Sequence, residues 1–347
     1  MSYGTVLVLL PFVIVALLDI KLLIQYLSSK RPKRVGDVPP VSIIVPTYNA
    51  EGTISDTLSS IFNSDLPQCE VIMVDDGSED GTLNVCRGFS DPRLIIVHED
   101  HIGKWSALNR GVGIARHDAI VTIDADTTVE RNSIKVLLSR LGDCDAVAGN
   151  LIIANRSLPF AHLQAQEHLR ISMHRRATGN ITTVSGPFAC FRRETLLRHP
   201  FRRSVVEDFE HTARIRRDGA RICYEPGSRA HTRMPSGLRG YLSQRARWSS
   251  GTLKEMEMKG IPFRGLAWGY LISALDIATL LFAIVFGYYQ ALLAIVLFEG
   301  LVQTMGNARE GTGMPIGSLL FYPYLVVLAT MHLAISFYSI FIGIENV

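Results

Sequence analysis

Apolar residues concentrate at the two ends of this chain and leave an ordinary soluble composition between them. That unevenness limits the fold more than any single motif. Residues 4–27 are apolar apart from Asp19, Lys21 and Gln25, and residues 266–305 and 316–342 form further apolar stretches. A helix crosses a bilayer with about 20 apolar residues. Residues 266–305 are therefore expected as two spans broken at Gly287-Tyr288-Tyr289-Gln290, with a polar loop at 306–313 and a last span at 316–342. No basic residue precedes the first stretch and no small-residue cleavage site follows it, so it reads as a retained helix rather than a signal peptide. The run Lys30-Arg31-Pro32-Lys33-Arg34 comes directly after it. By the positive-inside rule this places the N-terminus outside and the next domain in the cytosol. The expected organisation is a transmembrane helix at 1–29, a cytosolic domain with interface helices at 30–258, and a membrane region of about three helices at 259–347. Such a chain is an integral plasma-membrane protein with the lipid bilayer as a partner. Asp276, Glu299 and His332 fall inside the apolar segments. Ionisable groups there are costly, and they line a pathway or face the bundle interior.

Between the greasy ends, short β-rich runs alternate with helical patterns. Residues 41–45, 71–74, 94–97, 120–123 and 146–149 read as strands, and 53–62, 104–115 and 132–141 as helices. The strands are almost continuously apolar, which suits a parallel sheet buried on both faces. The alternation predicts an open, doubly wound α/β sheet that binds ligands beyond the carboxyl ends of its strands. The polar residues fall there: Pro46-Thr47-Tyr48-Asn49-Ala50-Glu51-Gly52 after the first strand, Asp75-Asp76-Gly77-Ser78 after the second, and Asp124-Ala125-Asp126 after the fourth. One Asp-Gly pair alone would be a β-turn. Three polar exits on one edge make a cleft for a phosphate-bearing ligand. The first strand is not followed by GxGxxG, and no GxxxxGK[ST] occurs, which argues against dinucleotide and P-loop binding.

Asp124 and Asp126 are two residues apart at a strand end and point the same way. One ion can join them to a diphosphate, and hard oxygen ligands favour Mg²⁺ or Mn²⁺. Net charge is only +3, so nucleic acid is not expected as a partner. The five cysteines show no metal-binding spacing and fit unpaired packing roles in a reducing compartment. Residues 158–177 read as an amphipathic helix lying on the membrane surface. His162, His168 and His174 recur every six residues, which gathers no zinc site on one helix face.

Downstream, Glu207-Asp208 opens a helical run at 209–217, and Gln244-Arg245-Ala246-Arg247-Trp248 precedes the C-terminal apolar region. Arg247 suits a departing diphosphate and Trp248 offers a flat face to a pyranose. The same pair also suits an interface helix, with Arg among headgroups and Trp at the lipid boundary. Asp208 could take a proton from an attacking hydroxyl, or serve as an N-terminal helix carboxylate favoured by the macrodipole.

In this order, Asp76, Asp124-Ala125-Asp126, Glu207-Asp208 and Gln244 to Trp248 resemble the membrane-integrated family 2 glycosyltransferases, the group of cellulose, chitin and hyaluronan synthases. The resemblance covers residues 41–258, and Gly103 to Gly111 matches a family pattern. It implies a GT-A fold, a Rossmann-like open sheet that binds nucleotide-sugars. It places Thr47, Tyr48 and Glu51 around the base and ribose, Asp76 on the base, Lys104 at the diphosphate, and Asp124 near sugar and diphosphate. Asp126 would hold the metal, with His231 on a loop beside metal or phosphate. Ser185 to Glu194 looks like an acceptor-site segment, Asp208 becomes the base with Glu207 beside it, and Gln244, Arg247 and Trp248 complete the site.

The expected function is inverting, metal-dependent transfer of a hexose or N-acetylhexosamine from a UDP-sugar to a growing β-linked polysaccharide. One alternative is transfer of a single sugar to a lipid acceptor, as in ceramide glucosyltransferases or onto polyprenyl phosphate. A non-catalytic membrane scaffold is the other, disfavoured because Asp76, Asp124, Asp126 and Asp208 are all in place.

Overall fold

In a computed structural model, which describes residues 3–29, 38–179, 181–259, 277–278 and 280–311, strand β1 (Val41–Thr47) lies between β2 (Cys69–Asp76) and β4 (Ala119–Ile123), and β3 (Leu94–Glu99) extends the sheet beyond β2. All these neighbours are parallel, with Val41 opposite both Cys69 and Ala119. β1 is buried at every position, as its unbroken apolar run requires. Each strand runs to or past its expected end, so Thr47, Asp75 and Asp76 close strands rather than open loops.

The rest of the sheet departs from the all-parallel expectation. The strands β5 (Thr128–Val129), β6 (Ala146–Ile153), β7 (Phe188–Arg192) and β8 (Ile222–Thr232) complete the order β3-β2-β1-β4-β7-β6-β8-β5. β7 runs antiparallel to both β4 and β6, β6 and β8 are parallel, and β5 is antiparallel to β8. The segment expected only as an acceptor element thus supplies the strand that joins the two parallel halves. His231 and Thr232, expected in a loop, end β8.

Strand alternation divides the core into two layers. Ile43, Val45, Val71, Met73 and Val121 pack with α2 (Ile54–Phe62), α3 (Thr82–Arg87) and α5 (Ser133–Leu138). On the other face, Ile44, Ile72, Val74 and Ile120 pack with α4 (Lys104–Ile114), α7 (Arg193–Arg198) and α8 (Glu207–Arg217). Helix α4 lies very close to β1: a Cβ on Gly111 would come within 2.5 Å of Ile44 Cγ2. Two cysteines expected to be unpaired form a disulfide, Cys144–Cys223, while Cys69, Cys86 and Cys190 are free. Cys144 lies just before β6 and Cys223 near the start of its parallel neighbour β8, with their Cα atoms 6.1 Å apart. Such a pairing across 79 positions has no local sequence signal.

Contacts divide the chain into two units, this α/β unit of Lys30–Ala154 with Gly179–Met234, and a helical unit of Met1–Ser29, Asn155–Thr178 and Pro235–Val347. The helical unit contains α1 (Tyr3–Ser28), α6 (Pro159–Thr178), α9 (Leu238–Lys259) and α10 (Tyr289–Glu310). The expected break before α10 is present, with Gly287 at φ +72°. The expected loop at 306–313 is instead helical as far as Glu310, and Gly311 ends the helix at φ +68°. Packing explains the extension. Gly306 lies beneath Met173, where a Cβ would come within 2.5 Å of Sδ, and Asn307 Nδ2 donates to Gln166 Oε1 at 3.1 Å.

Helix α6 is not the surface-lying helix expected. Gln164 and Gln166 are both fully buried. Leu169 and Met173 pack with Tyr26 of α1 and Val302 of α10. Arg170 pairs with Asp19, and lies 3.7 Å from Glu299. The Tyr26 hydroxyl and Arg176 Nη1 both donate to Glu310 Oε1, at 2.7 and 2.9 Å. Burial of charge is tolerated when each charge is matched in this way.

Among the described residues one helix, Tyr289–Glu310, is long and apolar enough to cross a membrane. Its outward residues Leu293, Leu297 and Leu301 are more than half exposed, while Glu299, Gln303, Asn307 and Glu310 are buried. The basic run 30–34, Asp276, His332 and the last expected span at 316–342 lie outside the described residues.

Candidate active site

The carboxyl ends of β1, β2 and β4 and the N-termini of α4 and α8 supply the site. After β1 the chain turns through Asn49 at φ 47°, one of the few non-glycine residue types that tolerates a left-handed backbone. The Asn49 N–H donates to Ser78 Oγ and its Oδ1 accepts from Glu79 N, both at 2.9 Å. Glu51 Oε2 accepts from Gly81 N at 3.0 Å. These bonds fasten the loops after β1 and β2 to each other. Thr47 is buried, and Tyr48 is 44% exposed and stacks on His101 with ring centroids 4.2 Å apart.

Asp76 shapes the next element. Its Oδ1 accepts from Ile102 N at 2.8 Å and from Gly103 N at 3.0 Å, and His101 Nδ1 lies 2.9 Å from Oδ2. Gly103 takes φ +130°, which side-chain-bearing residues rarely adopt. The loop so held delivers Lys104 at the first turn of α4.

Lys104 Nζ lies 2.7 Å from Asp124 Oδ1 and 3.2 Å from Glu207 Oε1. Burial pulls the ammonium pKa down, but Asp124, Glu207 and Asp208 outweigh it and the group is held firmly charged. Asp208 is raised to about 6, by burial first and by its neighbour Glu207 second, with Lys104 and the N–H groups of Phe209 and Gly186 opposing. Phe209 N donates to Oδ1 at 2.8 Å and Gly186 N to Oδ2 at 3.3 Å. A cavity of about 10 Å³ is bounded by Lys104, Gly186, Glu207, Asp208 and Thr212. That is room for about one water.

Asp126 is raised by burial first and by the charge of Asp124 second. Two neighbouring carboxylates whose charges oppose each other are a donor set that a divalent cation relieves, and both ligands are the hard oxygens Mg²⁺ and Mn²⁺ prefer. No group of three or more His, Cys, Asp or Glu side chains suited to a metal occurs among the described residues. These cations commonly keep waters and substrate phosphates and need only one or two protein carboxylates, so Asp124 and Asp126 fit. His231 Nε2 is 3.1 Å from Glu130 Oε1, giving it a carboxylate partner on the protein.

Gln244, Arg247 and Trp248 lie on α9 of the helical unit. Arg247 is exposed and the other two are partly buried. The buried member of this stretch is Arg245, 4% exposed, which donates to Glu167 at 2.8 Å and lies over the Trp248 ring. Motif reading passed over Arg245. It also passed over His101 beneath Tyr48, and Thr212 one helical turn beyond Asp208.

Residues 42–199 match Glycosyl transferase family 2. Poly-β-1,6-N-acetyl-D-glucosamine synthase of Staphylococcus aureus is 28% identical over 243 residues, 66% of this chain and 58% of that protein. The enzyme of the same name from Staphylococcus epidermidis is 28% identical over 229 residues, 62% of this chain and 55% of that one. The chain thus spans less than two thirds of these relatives' length. Mannosyltransferase PcManGT from Pyrobaculum calidifontis, solved with GDP-mannose and Mn²⁺, superposes with a TM-score of 0.67 at 21% identity, covering 98% of this chain and 97% of that one. That likeness is one of fold, an open curled GT-A-like sheet. The likeness to glycosyltransferase family 2 is carried by residues 42–199, and the staphylococcal relatives extend it over 66% of the chain.

Proposed function

We propose that this protein is an inverting glycosyltransferase of the membrane that moves an N-acetylhexosamine or hexose from a nucleoside diphosphate sugar to a glycan hydroxyl. The observation that carries the reading is the convergence of Lys104, Asp124, Glu207 and Asp208 from three separate elements. Asp208, raised to about 6, is mostly ionised at neutral pH and still basic enough to accept a proton, as a general base must be. In a single displacement the acceptor oxygen attacks the anomeric carbon and gives its proton to Asp208, and the bond to the diphosphate breaks. A cation held by Asp126 with Asp124 would neutralise charge on the leaving diphosphate. Lys104 keeps Asp124 and Glu207 together and offsets their charge. Tyr48 and Asp76, with Thr47 and Glu51 behind them, border the nucleotide side. Gln244, Arg247 and Trp248 are assigned to acceptor and diphosphate.

The named activity of the staphylococcal relatives supports UDP-N-acetylglucosamine as the first donor to try and a polymer as the first product to look for. The reversed polarity of α10, with leucines outward and carboxylates inward, supports a lipid surround. On the positive-inside rule the α/β unit is cytoplasmic.

The test is transfer by the bilayer-reconstituted protein with UDP-N-acetylglucosamine, UDP-glucose and GDP-mannose, with and without Mn²⁺, scoring nucleotide release and product size. Metal-dependent release with a polymer ladder is expected. A single-sugar lipid product would move the acceptor assignment to lipid, and no release with any donor would end the reading.

A further inference from the structure

Thr212 lies on α8 one turn after Asp208 and is fully buried. Its hydroxyl donates to the Asp208 carbonyl at 2.6 Å. A threonine bonding back to the preceding turn is common in helices and by itself implies nothing. Here the same oxygen also accepts from Val184 N at 2.8 Å, and Val184 belongs to a different segment, the one leading into β7. Two residues later Gly186 N donates to Asp208 Oδ2 at 3.3 Å. One residue further, the Pro187 carbonyl accepts from Asp124 N at 3.2 Å. Residues 184–187 are therefore fastened at three successive points, to Thr212, to the Asp208 carboxylate and to Asp124. A Cβ at position 186 would sit 3.3 Å from Asp208 Oδ2, so only glycine lets the segment approach freely.

We infer that Thr212 is a positioning residue for the reaction: through Val184 it sets segment 184–187 against α8, and so fixes where the Asp208 carboxylate points. The inference rests on the assignment of Asp208 as base. A hydroxyl is one donor with two acceptor lone pairs, and this one serves two backbone groups at once. Without it, the N–H of Val184, itself 2% exposed, loses the partner that holds it to α8. The segment must then shift to satisfy it, and Gly186 N moves with it. Serine keeps the hydroxyl; valine keeps the shape and loses it. Tyr48 and Asp76, on the nucleotide side, take no part in this bonding, and it reaches Asp124 only through the backbone N–H, so donor binding and turnover separate.

The test compares Thr212→Val and Thr212→Ser in the full-length reconstituted protein. Binding of UDP and of GDP with Mn²⁺ serves as the check that each variant is folded, with Thr212→Ala in reserve if the valine variant fails it. Thr212→Val is expected to lower kcat by about 10- to 100-fold with donor KM unchanged, the scale of a small misplacement of a catalytic group. Its Val184 and Gly186 amides should exchange hydrogen at least about tenfold faster. Thr212→Ser should return both quantities to within about threefold of the parent. Unchanged exchange at Val184 and Gly186 overturns the relay even in an active enzyme. Faster exchange with unchanged kcat overturns the positioning role, as does a serine variant as slow as the valine one. A parent protein inert toward every donor overturns instead the reading of the site on which this role depends.

Discussion

Lys104 and Asp124 are in direct contact, with 2.7 Å between Nζ and Oδ1. The same ammonium reaches Glu207 at 3.2 Å. Lys104→Met would leave these carboxylates facing one another without a cation. From the ~1.5–3 kcal/mol of a hydrogen bond to a charged group, kcat/KM should fall by about 10- to 100-fold. Because Lys104 lowers the Asp208 pKa, the acid limb of the pH–rate profile should also move to higher pH. Lys104→Arg should keep the limb in place while recovering only part of the rate. A limb that stays put in Lys104→Met would separate Lys104 from the base.

The parent enzyme should lose activity in acid through Asp208. The ionised form is the base, and the group is raised to about 6, so log kcat/KM should rise with unit slope below that pH and level off above it. Asp208→Asn should remove the limb along with at least about 10³-fold of the rate, within the range for a general base. The stability sign is opposite. A carboxyl raised on folding stabilises the native state below its unfolded value of about 3.9, and that contribution is lost as pH rises through the folded value. Asp208→Asn should accordingly melt higher than the parent at pH 8 and no higher at pH 4, as a thermal series would record.

Divalent metal should matter through Asp126. Chelation with EDTA should abolish transfer, and added Mn²⁺ or Mg²⁺ should restore it. Asp126→Ala should lower kcat/KM by at least about 100-fold and remove the effect of metal on nucleotide binding, since the cation neutralises the diphosphate. Calorimetry with UDP or GDP, with and without Mn²⁺, reads the second effect directly. An alanine variant with full metal response would remove Asp126 from the metal.

The Cys144–Cys223 bond closes a loop of 79 positions. Chain-entropy arguments give about 4 kcal/mol for a loop of that size. Cys223→Ser should lower the unfolding free energy of the α/β unit by that order in denaturant titration, without altering KM for the donor. Neither cysteine is among the residues around Lys104.

The β1–β4 half of the sheet was legible because each strand is a short, unbroken apolar run bounded by polar turns. The carboxyl-end placement of Thr47, Asp76 and Asp124 followed from it. β8 was hidden because Glu225-Pro226-Gly227 reads as a turn, and the ladder with β6 does shift register opposite that stretch. β7 was hidden because Phe188 to Arg192 was taken up by the acceptor motif. Helix α6 misled for a different reason. Gln164 and Gln166 look solvated in sequence, but Gln166 is buried against Gln303 and Asn307 of α10, and Gln164 donates to the Phe160 and Pro235 carbonyls. Thr212 could have been suspected from its spacing to Asp208. Its second bond, to Val184, is a contact across 28 positions that no local pattern encodes.

Helix α6 leaves the α/β unit after Ala154, packs with the helical unit, and the chain returns at Gly179. For anyone seeking a soluble catalytic fragment, simple truncation at both termini is then the wrong cut. It would carry Gln164, Gln166, Arg170 and Arg176 into water stripped of Asp19, Gln303, Asn307 and Glu310. An internal excision of residues 155–178, bridged by a short flexible linker and ended at Met234, follows the actual seams of the molecule.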